Sequence, residues 1–484
     1  MRSAGQAVCN AASLHTLMKR RWRLILWGVG LSLAVAVGYV GHALSQIAPV
    51  GTGYAAQILC TGVFVSGRPS DAVIEEDIMA GVHPLLTMVR VSVDRDRQRT
   101  RATFLGLARR EAQFRPGLGC TLAIGVSPDK LLATSGVGSA PPLPPAEHAL
   151  VSSPPAAGVD AVKLQTALDG AFAEPNPAQL RRTRALVVLH QGRLVAERYA
   201  PGFSAEMPLI GWSMTKSVSA ALVGVLVKEG RLSLDSSALV PEWSGDGDRR
   251  SQITLDQLLR MSSGLHFDET YADPLSDVAI MLFARPNAAD FAARKPLDSV
   301  PGTRWQYSSG TSAILARVLR EGMATTAEDY LQFPRRALFD RLGMRTALIE
   351  PDAEGMLATS SFMCASAHDW ARFGQLLLQD GVWHGERLLP VGWVRYMTSV
   401  TPGSPRQDFG AHLWVKVPEP FNSRASPPPT LPADTFHAVG HEGQFVSVVP
   451  SQHLVVVRLG LTRPESAWDH ESLLARLLEA FPPD

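Results

Sequence analysis

No charge of either sign dominates this chain: 46 basic residues face 45 acidic ones, a net of +1 over 484 residues. So close a balance gives no field that would gather a polyanion, and no basic-aromatic patch interrupts it. Nucleic acid is thereby excluded, and the expected partner is a small molecule. G-x-S-x-G is absent, which removes the nucleophile elbow of α/β-hydrolases, and H-E-x-x-H is absent, which removes the commonest zinc-protease signal. The four cysteines include no C-x-x-C pair, so no metal, redox site or other cofactor is expected. Only seven lysines occur, so the place of each one carries information.

One of them, Lys216, lies in Gly211 to Gly230, GWSMTKSVSAALVGVLVKEG. Met214, Val218, Ala221, Leu222 and Val225 recur with a helical period, and Gly230 is placed to end the helix. Residues three apart share a helix face, so Ser213 has the Lys216 amine beside it. A serine hydroxyl is a poor nucleophile until a neighbouring base takes its proton, and a desolvated lysine can be that base. The helix start adds N–H groups for a developing oxyanion. Spacing alone is weak: Ser127-Pro128-Asp129-Lys130 repeats it and reads as a capped turn with a solvated lysine. Lys216 differs in being set inside an apolar helix, where an unpaired charge is costly.

Residues 1–23 form a basic N-terminus ending in Lys19, Arg20, Arg21 and Arg23, and residues 24–44 hold no Asp, Glu, Lys or Arg. As a helix that run spans about 31 Å, enough to cross a bilayer. By the positive-inside rule the basic residues stay in the cytoplasm and everything after residue 45 lies across the inner membrane, in the periplasm, on a single-pass anchor. The alternative is a signal peptide cleaved near Gly41-His42-Ala43 and a secreted periplasmic protein. There Cys60 and Cys120 either form a disulfide, contributing about 4 kcal/mol on the chain-entropy model, or stay separately buried thiols.

Residues 45–139 carry short apolar and charged stretches without a motif; the expected role is a spacer between membrane and main domain. Residues 140–159 read as a Pro-rich linker. In the main domain, 160–484, an amphipathic helix (161–173) precedes strands at 185–189 and 194–199 with a Gln191-Gly192 turn. A mostly helical middle follows, then strands at 436–439, 444–449 and 454–459 and a last helix bearing Leu473, Leu474, Leu477, Leu478 and Phe481 on one face. Strands at both ends of a helical middle predict an α+β fold: one antiparallel sheet from both ends of the domain, flanked by helices, with an inserted helical subdomain and a site at their junction.

Two further segments carry chemistry. Tyr307-Ser308-Ser309-Gly310 follows a turn-rich lead, and a phenol so presented can pass a proton to a leaving group; a core or surface tyrosine is the plainer reading. Gly440-His441-Glu442-Gly443-Gln444 lies between two strands, either a hairpin turn with a solvated histidine or a strand edge where glycine admits a substrate. Together with Ser213 to Lys216, in this order and at these separations, they resemble the penicillin-recognising serine hydrolases. That group holds class C β-lactamases, DD-peptidases, family VIII esterases and 6-aminohexanoate-dimer hydrolases, and the likeness covers about residues 160 to 484. Trp212 to Ser217, Tyr307 to Gly310 and the run Phe267 to Pro274 look most like the 6-aminohexanoate-dimer hydrolase branch.

The resemblance implies a β-lactamase/transpeptidase-like fold and a serine hydrolase that cleaves an amide or ester of a small molecule without metal or cofactor. It implies Ser213 as the acylated nucleophile, Lys216 as its base and Tyr307 as the proton shuttle. The backbone N–H groups of Ser213 and Gln444 would form the oxyanion hole, and Tyr271, Ser309, His441 and Gly443 would touch substrate. Ser309 stands where β-lactamases usually have asparagine, and His441 where they have lysine. A β-lactamase or DD-peptidase is the rival within the fold, and a non-catalytic cell-wall-binding sensor the rival outside enzymes. Nothing in the sequence points to an oligomeric state.

Overall fold

The computed structural model of the protein describes residues 4–133, 150, 158–323 and 325–482. Helix α1 (Ala4–Cys60) runs on well past Leu44. Its apolar residues Ile25, Leu26, Val29, Leu31, Val35 and Tyr39 face outward, as does Trp27, which is 78% exposed. By length and composition this helix can be a membrane span or a signal sequence. From Ala48 onward its character reverses, and Val50, Ala55, Ala56, Ile58 and Leu59 are buried. One continuous helix is therefore outward-facing at one end and part of a protein core at the other.

Strands β1 (Val89–Asp94), β2 (Arg99–Phe104), β3 (Leu107–Arg115) and β4 (Gly119–Leu122) form an antiparallel meander against the buried half of α1. Cys60 and Cys120 are disulfide-bonded, with Cα atoms 6.0 Å apart, which ties the end of α1 to β4.

Helix α2 (Ala161–Phe172) opens the main domain behind an Asp160 cap, followed by the hairpin β5 (Thr183–His190) and β6 (Arg193–Tyr199). Gln191 and Gly192 between them both take positive φ, +51° and +74°, as a tight two-residue turn requires. Next come α3 (Met214–Lys228), α4 (Asp277–Ala284), α5 (Ser309–Met323) and α6 (Ala367–Leu378). The chain closes with β7 (Phe436–Gly440), β8 (Gln444–Val449), β9 (Leu454–Gly460) and α7 (His470–Leu478). The five strands order as β7-β8-β9-β5-β6, every neighbouring pair antiparallel.

Alternation along β5 builds two layers. Leu186 and Val188 join Leu164 and Leu168 of α2 and Leu473, Leu474 and Leu477 of α7 in one core. Val187 and Leu189 face the other way, into the core shared with α3 and α6. Each such side chain, fully buried, contributes about 1.5–3 kcal/mol.

The expectation of a spacer over 45–139 is corrected. Buried residues of α1 and of β1 to β4 belong to the same hydrophobic core as α3, α4 and α6. At Gly53 of α1 the backbones meet so closely that a Cβ would lie 2.1 Å from the Phe283 carbonyl oxygen of α4. Glu350 adds a polar tie: its carboxylate accepts from Gln57 Nε2 at 2.7 Å, Thr61 Oγ1 at 2.9 Å and the Cys120 N–H at 2.8 Å. The apolar run at 57–65 is thus a helix end that packs on a surface some 220 to 290 residues further on, which no local pattern reveals. The Pro-rich linker falls mostly on 134–149 and 151–157, outside the described residues.

Candidate active site

Ser213 stands at the N-cap of α3, yet its side chain makes no capping hydrogen bond. The preceding Trp212 is held at φ +48°, a left-handed conformation uncommon for a bulky residue. Thr215 steadies the turn, donating to the Trp212 carbonyl at 2.6 Å and accepting from the Met363 N–H at 3.1 Å.

The Ser213 hydroxyl is 2.9 Å from Lys216 Nζ. Lys216 is 2% exposed, and its amine is also 2.9 Å from Ser309 Oγ and 2.9 Å from the Ser360 carbonyl oxygen. Burial pulls the amine down to about 8, against the opposing pull of Glu269. Three neighbours match three donors of an ammonium. They match a neutral amine equally well, with two N–H bonds to Ser309 and Ser360 and the lone pair turned to the Ser213 proton.

Glu269 is a residue of this site that the sequence reading left without a role. Its carboxylate accepts from Ser309 Oγ at 2.5 Å and from the Ser309 N–H at 2.7 Å. Burial raises its pKa while the Lys216 charge opposes. Ser309 therefore bridges amine and carboxylate. It is 0% exposed and turns its hydroxyl to Lys216 and Glu269. Glu269 lies in the run Phe267 to Pro274, two residues from Tyr271, and an acid between those aromatics was the available signal.

Tyr307 sits just before α5. Its ring centroid is 5.1 Å from Lys216 Nζ, its hydroxyl interacts with Ser213, and burial holds the phenol well above its usual pKa. The Tyr271 hydroxyl is directed at Ser213, Ser309 and Ser361 without a well-formed hydrogen bond to any of them. Tyr271 stacks on His441 at 4.6 Å, and His441 meets Trp212 edge-on at 5.5 Å. Trp212, His441 and Tyr271 thus form one ring cluster that begins at the residue before the serine.

His441 is half-buried, with Nδ1 2.7 Å from Glu465 Oε1. Burial disfavours its charge, but the bond to Glu465 and the nearby Glu442 outweigh that and raise its pKa. Glu442 pairs with Arg463, which donates to the Ala80 carbonyl at 2.8 Å, so the segment before β1 holds this turn from behind. At Gly443 a Cβ would lie 2.3 Å from Arg458 Nη1, so this residue backs onto that guanidinium. Gln444 pairs with Gly440, and a Cβ on Gly440 would lie 2.2 Å from the Gly211 carbonyl oxygen. The end of β7 is thereby pressed against the turn carrying Ser213. The Gln444 side chain bonds the Gly460 backbone at 2.7 Å and 2.9 Å, leaving only its main chain for the site. His412, also without a role in the sequence reading, is buried near Lys216; burial lowers it to about 3, and it stays neutral between the Leu259 carbonyl and Ser312.

Comparison with known proteins gives one family model, Beta-lactamase, matching residues 168–480. The 6-aminohexanoate-dimer hydrolase of Paenarthrobacter ureafaciens is 28% identical over 241 residues, 46% of this chain and 58% of the relative's length. Among solved structures, EstCE1, a hydrolase with promiscuous acyltransferase activity, is similar at TM-score 0.51 and 16% identity, covering 66% of this chain and 97% of its own. SurE is similar at TM-score 0.50 and 19% identity, covering 66% of this chain and 76% of its own.

Proposed function

Since the chain belongs to the Beta-lactamase family, we propose that this hydrolase cleaves an amide or ester of a small molecule through an acyl-enzyme on Ser213. The observation that carries the reading is the buried Lys216 amine 2.9 Å from the Ser213 hydroxyl. With its pKa near 8, about a tenth of Lys216 is neutral at pH 7. Tyr307, held far higher, is the weaker candidate for the resting base.

Lys216 takes the Ser213 proton as Oγ bonds to the carbonyl carbon, and the N–H groups of Ser213 and Gln444 receive the oxyanion. Tyr307 passes its proton to the departing alcohol or amine as the carbonyl carbon's bond to it breaks and takes one back from Lys216, which is left neutral. Water then attacks the acyl-enzyme with Lys216 again as base, and the proton Lys216 takes from it returns to Ser213 Oγ as the acid leaves. Glu269, through Ser309, steadies the charge Lys216 gains. The basic residues before the apolar run and the Cys60–Cys120 disulfide support placing the catalytic domain in the periplasm on a single anchor.

The 6-aminohexanoate-dimer hydrolase branch is favoured over a β-lactamase or DD-peptidase because the positive charge of His441 is answered by Glu465 and is not left for a substrate carboxylate. The test compares the full chain with Ser213→Ala on a short p-nitrophenyl ester, the linear 6-aminohexanoate dimer and a chromogenic cephalosporin. Turnover of ester or dimer that falls at least about 10³-fold in the variant is the expected result. Equal turnover in both proteins would overturn the nucleophile. Cephalosporin turnover, or a stable penicillin adduct on Ser213, would favour the β-lactamase or DD-peptidase. Ligand binding unchanged by Ser213→Ala, without wild-type turnover, would favour a cell-wall sensor.

A further inference from the structure

A cavity of about 770 Å³ lies between the buried half of α1, the turn Pro84–Met88 and the main domain. That volume falls within the range of small-molecule sites. Leu44 and Ile47 of α1 and Leu85 and Leu86 of the turn give it an apolar wall. Trp212, Tyr271 and His441, the ring cluster next to Ser213 in the candidate site, line it as well. The charged groups along its polar side are answered within the protein, His441 by Glu465 and Arg463 by Glu442.

Both ends of the cavity bear on its occupant. On the side of the candidate site, Trp212 directly precedes Ser213 and the Tyr271 hydroxyl is directed at it, so the cavity reaches residues that flank the serine. Outside, Leu44 is the last residue of the apolar run in which Trp27, Leu31, Val35 and Tyr39 face outward. Tyr39 and Leu44 lie on one unbroken helix, only about 7.5 Å apart along its axis. The mouth of the cavity therefore adjoins the foot of the candidate span. A small polar amide leaves such a wall unused, whereas a hydrocarbon chain covers it.

We propose that this cavity takes the acyl chain of an amphiphilic ester or amide and delivers its carbonyl to Ser213. The proposal rests on the serine-hydrolase reading and names its substrate class. Ser213 Oγ bonds to the acyl carbon, the C–O or C–N bond to the head group breaks, and the head group leaves with a proton. Water then splits the acyl-enzyme, releasing the fatty acid and restoring the serine proton. The amphiphile comes either from the bilayer around α1 or from solution.

The test uses the full chain in phosphatidylcholine vesicles with p-nitrophenyl acetate, butyrate, octanoate and dodecanoate, so that only the acyl chain varies. Wild-type kcat/KM is expected to rise about threefold per methylene through at least eight carbons. Leu86→Trp and Val82→Trp, which fill the cavity at two points, are each expected to lower the octanoate-to-acetate ratio at least tenfold against wild type, a comparison in which partitioning into the vesicle cancels. A ratio that stays flat while Ser213-dependent acetate hydrolysis persists would overturn the proposal and leave the hydrolase standing. Binding of a fluorescent dodecanoate to full-length Ser213→Ala needs no turnover. Saturable binding weakened at least tenfold by either tryptophan supports the cavity even if the hydrolase reading fails, and absence of binding overturns it. A higher rate on octanoate dispersed in the same vesicles than on monomeric octanoate in detergent solution assigns the bilayer as source; the reverse assigns free amphiphile.

Discussion

Ser127–Lys130 and Ser213–Lys216 carry the same spacing at the start of a helix, and the two serines do different things. Ser127 caps its helix: Oγ accepts from the Lys130 N–H at 3.2 Å, in the open, while Asp129 pairs with Arg99. Ser213 occupies the same position on α3 and does not cap. Its hydroxyl faces the Lys216 side chain, which is buried among Ser309, Ser360 and Tyr307. A free helix-start N–H in water readily takes a serine hydroxyl as its cap. Where the chain tightens into a left-handed Trp212 and the amine is desolvated, the hydroxyl turns to the amine and not to the helix N–H groups. Spacing brings the pair together; burial lowers the amine's pKa.

Replacing Lys216 by Met should break that contrast most severely, leaving a serine without a base. kcat/KM on the best ester is expected to fall about 10³-fold, and the rise of wild-type activity through pH 8 should vanish from the pH profile. Glu269→Gln sharpens it. Glu269 opposes the burial that lowers Lys216, so without its charge the amine loses its proton more readily. The rising limb of the kcat/KM profile should move to lower pH, with the plateau within about tenfold of wild type; a limb that moves to higher pH would refute the pairing. Least is expected at the other tetrad. Ser127→Ala and Lys130→Ala should leave kcat/KM unchanged, with a stability loss of at most about 1 kcal/mol from the missing cap, read by chemical denaturation.

The fold was legible to different depths in different places. β8 (Gln444–Val449) coincides with its expected bounds, and the other sheet strands differ by a residue or two. Their apolar faces repeat over distances shorter than the element itself. The packing of residues 45–133 on the main domain was not legible. Their apolar runs are complementary to α4 and to Glu350, and that match exists only after the chain has folded back. At the site, Ser213, Lys216, Tyr307 and Tyr271 converge, whereas Ser309 and Gly443 face protein groups.

What the sequence by itself determined is therefore local: a seven-lysine chain with one lysine inside an apolar helix three residues after a serine, strands at both ends of a helical middle, and an apolar run behind a basic cluster. What only the tertiary structure decided is which groups those residues meet. Glu269 reaches Lys216 through Ser309 from sites 53 and 93 residues away. Arg463 ties the His441 turn to the segment before β1, and the cavity joins the foot of α1 to Trp212. Periodicity reports which face of an element is buried, because burial acts on each element separately. Desolvation, charge pairing and a cavity wall arise between elements, and they come into being only when the chain packs.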